Sequence, residues 1–168
     1  MSTIRLCRPD ERARILAIIT AAAEAYRGVI PDDCWHDPYM SLEELEREMA
    51  AGVVFWGHET DGELTGIMGL QHVLDVDLIR HAYVLPASQG HGIGGRLLAH
   101  LARIATRPVL VGTWAAAEWA IRFYQRHGFE LVPEALKVTL LKTYWTISER
   151  QIETSVVLSR AAMPRGGA

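Results

Sequence analysis

The sequence predicts an α/β protein of the α+β type, with a mixed sheet and helices on both faces. Apolar residues alternate as in strands over seven short segments, and several segments between them have helical spacing. The order is one strand, two helices, three strands in a meander, and then helices that alternate with strands. The 168 residues are enough for one domain with a sizeable core, and 49% apolar and 22% charged residues are typical of globular proteins.

A single domain is expected over residues 1–160, with a flexible tail at 161–168. The predicted elements are strand 4–8, a helix from Pro9 to about Glu24, helix 42–51, strands 53–60, 64–73 and 75–84, helix 93–104, strand 109–113, helix 118–127, strand 129–132, helix 135–145 and strand 152–158.

Local signals mark the ends of the elements in the first half. The run Pro9-Asp10-Glu11 is a typical helix start, and apolar residues follow it at helical spacing. Ser41 and Glu44 form a capping box that predicts the second helix. Asp61-Gly62 lies between two apolar runs and predicts a hairpin turn between antiparallel strands.

The second half is delimited in the same way. Gly128 is placed to end the preceding helix in the left-handed conformation. Pro133 ends the short strand that begins at Phe129, and residues 152–158 alternate as a last strand. The expected tail follows this strand at the C-terminal end and includes Pro164.

The segment 84–98 is the most informative part of the chain. Four glycines lie within six residues, after a strand-like run and before a helix-like run. Main-chain N–H groups at such a junction, together with the positive end of the helix dipole, form a receptor for phosphate. The alternative is a flexible turn that only permits close packing. Three glycines at a helix start would cost about 1 kcal/mol each relative to alanine, which favours a ligand that needs close approach to the backbone.

Two other phosphate-binding motifs fit the segment poorly. Gly90, Gly92 and Gly95 have the G-x-G-x-x-G spacing, but a dinucleotide site needs this loop after the first strand of a βαβ unit and an acidic residue about 20 residues on. The loop follows a meander, and the next strand runs into Thr113-Trp114 without an acid. A P-loop would need Lys-Ser or Lys-Thr after the glycines, and neither is present.

Two motifs resemble those of the GNAT superfamily of acyl-CoA N-acyltransferases. Residues 84–94 read V-x-P-x-x-Q-G-x-G-I-G and resemble its acyl-CoA signature through Gln89, Gly92 and Gly94. Residues 120–129 resemble the A-x-x-F-Y-x-x-x-G-F segment of the family, although the asparagine often found three residues earlier is Ala117 here. The resemblance implies a mostly antiparallel sheet of about six to seven strands with one parallel pair that splays apart.

The resemblance also implies acetyl-CoA as co-substrate. Its diphosphate would lie on the amides of the glycine segment, and its pantetheine arm would lie in the gap between the splayed strands. The residues expected to bind the coenzyme are Ala82, Val84, Gln89, Gly90, His91, Gly92, Ile93, Gly94, Gly95 and Arg96.

Acyl transfer to an amine needs a neutral amine, a donor for the oxyanion and a proton for the thiolate. A backbone N–H near Val84 is a candidate oxyanion donor. Tyr124 is the candidate acid, because a phenol is protonated at neutral pH and the residue matches the tyrosine of the family motif; the alternative is a plain core residue. The base stays open between His81, Asp77 and a water chain, because Leu78 stands where the family often has a carboxylate. Alternation puts Asp77 and His81 on the face opposite Arg80, unless a bulge changes it.

The acceptor pocket is expected between the aromatic loop 26–39 and the strand that carries Trp114, with segment 142–151 closing it or forming a dimer contact. The alternative is a hydrophobic cluster under a long loop. Arg80 would favour an acceptor with a carboxylate if it faces the cleft, and otherwise it is a surface arginine. Seven residues are candidates for the acceptor side: Tyr26, Trp35, His36, Arg80, His81, Trp114 and Trp119.

The function predicted is N-acetylation of a primary amine of a small molecule or peptide, by direct attack in a ternary complex. The alternatives are a non-catalytic acyl-CoA-binding sensor or interaction module and, less well supported, a nicotinamide-dependent reductase. A covalent route is disfavoured, because Cys7 lies in the first strand, away from the expected thioester, and no histidine or acid is patterned to activate Cys34.

Composition limits the classes of partner and the cellular location that are expected for the protein. The formal net charge is −3 and the basic residues are dispersed, which argues against a nucleic-acid partner. The two cysteines have no metal-site spacing, so no metal is expected. No signal peptide is expected from the charged N-terminal segment, and the longest apolar run, 15–23, is short of the roughly 20 residues that span a membrane. A cytoplasmic enzyme without a membrane partner is expected, with a homodimer left open.

Overall fold

The computed structural model describes residues 1–161. Its strands are β1 (Ser2–Leu6), β2 (Val54–Thr60), β3 (Glu63–Val73), β4 (Val76–Val84), β5 (Val109–Trp114), β6 (Glu130–Leu131) and β7 (Ser155–Arg160). Its helices are α1 (Arg12–Ala23), α2 (Leu42–Ala50), α3 (Ile93–Ile104), α4 (Glu118–Arg126), α5 (Glu134–Tyr144) and α6 (Glu149–Glu153). The predicted tail at 161–168 lies outside the described residues, apart from residue 161.

Most predicted elements are present, and two boundaries are corrected. The first strand begins two residues earlier than predicted and ends at Leu6, because the chain turns into a 3₁₀ turn at Pro9. Residue 152 belongs to α6, which the sequence analysis missed, so the last strand begins at Ser155. The short α6 is capped by Ser148, whose side chain accepts from the amide of Gln151.

The seven strands form one mixed sheet in the order β1-β2-β3-β4-β5-β7-β6. The only parallel contact that the structure describes joins β4 to β5, and it is confined to Asp77–Ile79 paired with Val109–Val111. Beyond this point β4 continues to Val84 and β5 to Trp114 without pairing to each other. The predicted mixed sheet with one splayed parallel pair is therefore confirmed.

Helices cover both faces of the sheet, as predicted. On β4 and β5, Ile79 and Val111 pack in the core beneath α3 and α4, while Leu78 and Leu110 pack in the core beneath α5 and α6. A third core joins α1 and α2 to β2 and β3 through Ile18, among others. The gap between the splayed strands therefore connects two helical layers.

A β-bulge interrupts β4 beside this gap. Ile67 pairs with Tyr83 and Gly69 with Arg80, so His81 and Ala82 together lie opposite a single residue of β3. His81 has a positive φ of 53°. A bulge reverses the alternation beyond it, and Ala82 accordingly packs in the same core as Ile79.

Asp77 braces the start of β4. The side chain is fully buried, and its Oδ2 accepts from the amides of Thr106 (3.0 Å) and Arg107 (3.2 Å), in the turn between α3 and β5. Its other oxygen contacts Nδ1 of His72. Both oxygens of the carboxylate are therefore occupied by contacts that stabilise the fold. The expectation that Asp77 is a candidate base is not supported.

Replacing Asp77 with alanine should lower the free energy of unfolding by about 2–3 kcal/mol, because two part-buried amides lose their buried acceptor. Urea denaturation measures the change. Asp32→Ala, at an exposed carboxylate with an ordinary backbone conformation, is the control and should change stability by less than about 0.5 kcal/mol. A loss below about 1 kcal/mol for Asp77→Ala would show that water replaces the carboxylate.

The buried imidazole of His58 and the partly buried imidazole of His100 predict a loss of stability in mild acid. His58 and His100 each leave Nε2 buried without a hydrogen-bond partner among residues 1–161. Burial, and then the charges of Arg96 and Arg103 respectively, lower the pKa of both imidazoles. The unfolded chain therefore takes up more protons than the folded chain as the pH falls through about 6.5, and the free energy of unfolding decreases.

Urea denaturation at pH 7.5 and 5.5 should show this decrease, and the double variant His58→Gln/His100→Gln should reduce it. His91→Gln, at an exposed histidine, is the matched control and should keep the wild-type difference. An equal pH dependence in the wild type and the double variant would contradict the assignment.

Candidate active site

A cleft of about 560 Å³ begins at the gap between β4 and β5. The glycine segment, the first turn of α3 and one face of α4 line it on one side of the sheet. Of the residues predicted to bind coenzyme A, those that line this cleft are Ala82, Val84, Gln89, Gly90, Gly92, Ile93, Gly94 and Gly95. The side chains of His91 and Arg96 are exposed and do not line it.

The glycine segment presents main-chain donors toward the cleft. Gly90 and Gly92 have φ values of +83° and +77°, and no atom lies within 4 Å of a Cβ built on either. Gly92 is the N-cap of α3 and offers no side chain to the first amides of the helix. These amides have no acceptor within the helix, so the junction combines free N–H donors with the positive end of the helix dipole.

Side chains of the same segment hold it in shape. The Gln89 side-chain amide donates to the carbonyl of Val84 at 3.1 Å, and Arg96 donates to the carbonyl of His91 at 3.2 Å. A Cβ on Gly95 would lie 2.8 Å from Nε2 of His127, the C-cap of α4, so the start of α3 and the end of α4 are in close contact. The shape of the cradle therefore depends on residues around it as well as on its glycines.

Tyr124 lies in the wall of the cleft on α4. Its ring packs edge-on against Phe123 and Phe129, with centroids 5.2 and 5.6 Å away. Burial, and then the proximity of Tyr26, raises the pKa of the phenol above its usual value. The hydroxyl therefore keeps its proton at neutral pH, although the packed ring also fits the core role that the sequence left open.

Tyrosines cluster where the cleft passes through the sheet. Tyr26 stacks on Trp119 at 5.9 Å, and its ring lies 5.6 Å from Tyr39 and 6.4 Å from Tyr83. Burial is the main cause that raises the pKa of all three phenols, that of Tyr39 to about 12. The cluster is therefore neutral and offers hydroxyl groups rather than charge.

Two further cavities lie on the opposite side of the gap. The smaller, of about 140 Å³, reaches from Tyr26 to Trp145, and the larger, of about 930 Å³, is bounded by α2 and by segment 144–151. Trp114 lines both and donates from Nε1 to the hydroxyl of Tyr39 at 2.7 Å. We refer to these two cavities as the acceptor-side cavities.

A charged cluster forms the floor of the larger cavity. Glu48, on α2, contacts Nη2 of Arg80, and both of its carboxylate oxygens lie 2.9–3.0 Å from Nε2 of His81. Arg80 also donates to the side chain of Gln71 at 2.8 Å. Burial raises the pKa of Glu48, but the hydrogen bond from His81 and the charges of His81 and Arg80 lower it by more. The carboxylate is therefore ionised at neutral pH.

The remaining acceptor-side candidates are spread over these surfaces. His36 lines the larger cavity, while Trp35 lines none of the three and carries the Arg27 guanidinium 4.5 Å above its ring. Trp119 lines the first cleft rather than the acceptor side. Leu78 is fully buried, and Ala117 caps α4 without a side-chain hydrogen bond.

Three residues of the site, Glu48, Tyr39 and Tyr83, were not predicted from the sequence. Glu48 is one of six glutamates in residues 43–63, and no local pattern separates it from its neighbours. The only available signal was the bulge considered for β4, which brings Arg80 and His81 to the same carboxylate.

Both the sequence and the fold resemble those of known acetyltransferases. Residues 51–131 match the family model of the acetyltransferase (GNAT) domain. No curated protein sequence matches the chain. The chain is similar to the PaiA N-acetyltransferase from Thermoplasma acidophilum in complex with coenzyme A, with a TM-score of 0.72 and 15% identity over 96% of this chain and 99% of that one.

Two other solved structures are similar. An acetyltransferase of the GNAT family from Staphylococcus aureus Mu50 has a TM-score of 0.74 and 16% identity, over 97% of this chain and 100% of that one. The N-acetylglutamate synthase from Neisseria gonorrhoeae, complexed with coenzyme A and N-acetyl-glutamate, has a TM-score of 0.66 and 23% identity. That match covers 98% of this chain and 36% of the other.

Within residues 1–161 no helix is long and apolar enough to cross a membrane. The family match covers the glycine segment and the Tyr124 motif, and the structural likeness extends over nearly the whole chain. The resemblance predicted from the two motifs is confirmed: residues 51–131 match the GNAT acetyltransferase domain, and the chain has the fold of the solved acetyltransferases.

Proposed function

We propose that the protein transfers an acetyl group from acetyl-CoA to a primary amine, by direct attack in a ternary complex. One observation carries the proposal: the free amides at the start of α3 open into a cleft that runs along the splayed strands to Tyr124. The diphosphate would bind these amides, because they combine N–H donors with the helix dipole. The pantetheine arm would lie beside Ala82 and Val84, with the thioester near Tyr124.

The cleft lining supports a role for each group in the reaction. The bulge at His81 leaves main-chain groups of β4 outside the regular ladder, beside the gap, where an N–H would stabilise the oxyanion. Tyr124, whose pKa is raised by burial, would donate its proton to the departing thiolate. The acceptor would approach from the acceptor-side cavities, which meet the cleft at His81 and Tyr83.

The acceptor is a small molecule or a peptide with a primary amine. The larger cavity has about 930 Å³, enough for either. Its walls are balanced in charge, because Arg80 faces Glu48 and Arg150 pairs with Asp33 at 2.8 Å. This balance does not support the earlier expectation that Arg80 selects a carboxylate, since its guanidinium already has two partners.

A two-stage experiment tests the proposal. Thermal unfolding with and without acetyl-CoA reports binding, and release of free thiol is then followed with amino acids, polyamines and short peptides as acceptors. Protection together with amine-dependent thiol release supports the enzyme. Protection without release over the whole panel would favour the non-catalytic acyl-CoA binder, and protection by a nicotinamide dinucleotide alone would favour a reductase.

A further inference from the structure

His81 lies where the coenzyme cleft meets both acceptor-side cavities. Among the described residues only His81 and Tyr83 line all three. An amine that attacks the thioester must lose a proton near this junction. A group that faces both sides is therefore in the right place to accept it.

The other titratable groups near the junction are poor proton acceptors. Burial raises the pKa of the phenols of Tyr26, Tyr83 and Tyr124, so all three are protonated and neutral in the working range. His127 lies at the other end of the cleft, against Gly95 of the glycine segment. Of the described groups at the junction, His81 alone is an imidazole, whose neutral ring has a nitrogen that can accept a proton.

Glu48 fixes the proton on one nitrogen of His81. Both carboxylate oxygens lie within hydrogen-bond distance of Nε2, and an ionised carboxylate only accepts, so Nε2 carries the hydrogen. Nδ1 is then the basic atom of the neutral ring, and no residue in the described part of the chain bonds to it. The carboxylate also stabilises the imidazolium that forms when Nδ1 takes a proton.

The bulge brings these groups together. Arg80 and His81 are adjacent in sequence, yet both reach Glu48, which regular strand alternation does not allow. His81 has a left-handed φ of 53°, a strained conformation for a residue other than glycine. Such strain is often found at functional sites, which fits a side chain turned toward the gap.

We propose that His81 is the base that accepts the proton of the acceptor amine, and that Glu48 is the residue that positions it; the inference rests on the proposed function. The neutral amine nitrogen forms a bond to the thioester carbonyl carbon, and its proton passes to Nδ1 of His81. As the C–S bond breaks, sulfur leaves with the electron pair and takes the proton of Tyr124. Solvent then removes the proton from His81 and returns one to Tyr124.

The surroundings of His81 determine how its activity depends on pH. The charged and titratable groups that face it are Glu48 from α2, Arg80 and Tyr83 from β4, and Tyr26 and Tyr39 from the segment between α1 and α2; β2 contributes Phe55, whose ring lies 6.1 Å away. Removal of the Glu48 charge leaves Arg80 as the nearest charge, which disfavours the imidazolium. The acid limb of the rate profile should then move to lower pH.

The first test removes the imidazole and supplies it again. Glycine is the suitable replacement, because it accepts the positive φ at position 81 and leaves a space of ring size. His81→Gly should lower kcat/KM by about 100-fold or more with the best amine of the panel, and added imidazole should restore much of it. Protection by acetyl-CoA in thermal unfolding should stay as in the wild type.

The second test separates positioning from catalysis. Glu48→Gln should lower kcat/KM and shift the acid limb to lower pH with the same acceptor, so that the titration of the amine itself cancels. In a His81→Gly background it should have almost no further effect, because Glu48 acts through His81. Glu46→Gln, on the outer face of the same helix, is the matched control and should keep the wild-type rate and profile.

The outcomes distinguish this inference from the proposed function. A kcat/KM of His81→Gly within threefold of the wild-type value overturns the assignment of His81 as the base. The proposed transfer from acetyl-CoA then still stands. A rate lost in His81→Gly but restored by imidazole supports the base, and failure of imidazole to restore it counts against the base. An unshifted acid limb in Glu48→Gln overturns the positioning role. A wild type that binds acetyl-CoA but acylates no amine of the panel contradicts the proposed function, and this inference with it.

Discussion

Tyr124→Phe should lower kcat by about 100-fold at saturating acetyl-CoA and acceptor, while binding of acetyl-CoA stays unchanged. The phenol would donate to the departing thiolate, and a positioned general acid contributes about 10²–10⁴-fold to a rate. Burial raises the pKa of Tyr124, so the acid form is present at neutral pH and persists past the usual phenol value of about 10. Deprotonation of this residue should therefore not limit the rate of the wild type below that pH.

Steady-state kinetics measure the effect, and thermal unfolding supplies the control. The phenylalanine ring keeps the edge contacts with Phe123 and Phe129, so the melting temperature should change by no more than about 2 °C. A kcat within threefold of the wild type would show that Tyr124 is a core residue alone, the alternative that the sequence left open. A large loss of stability would point to the same structural role.

Gly92→Glu should weaken acetyl-CoA binding by at least about 100-fold. Gly92 caps α3 with a φ of +77°, and a Cβ there would enter open space beside the free amides. A glutamate would add a negative charge where the diphosphate is proposed to bind, and a like-charge contact costs several kcal/mol. Titration calorimetry with acetyl-CoA measures the change in affinity.

Gly62→Glu is the matched control. Gly62 has a φ of +87° in the turn between β2 and β3, also with no atom within 4 Å of a built Cβ. Both variants place a side chain in the left-handed region, so both should lose about 1–2 kcal/mol of stability. Only Gly92→Glu should lose affinity. Equal affinity in the two variants would remove the diphosphate from the start of α3.

Local signals predicted most of the fold because each depends on a few adjacent residues. The capping box at Ser41 has the expected bond from the amide of Glu44, and Gly128 has the positive φ of a helix end. The helix at 149–153 was missed because it is too short for a period to show. Its cap, Ser148, precedes an acidic turn, and this was the one usable signal.

The acceptor side was predicted less well, for a physical reason. The glycine segment acts through the main chain, so its composition alone points to its chemistry. The contact between Glu48 and His81 joins residues 33 positions apart and depends on a bulge of one residue. Strand register decides whether two such side chains meet, and a single sequence does not fix the register to within one residue. The same bulge separates His81, which contacts Glu48, from Asp77, which contacts the turn between α3 and β5.

The cleft and the larger cavity open on different layers of the molecule and share only the gap between β4 and β5. A transferase built in this way has two entrances, and neither ligand closes the other's route. Initial-rate patterns for the proposed reaction should then be those of random addition. Free coenzyme A should bind alongside the amine in an abortive complex, so that product inhibition grows as the acceptor becomes more abundant.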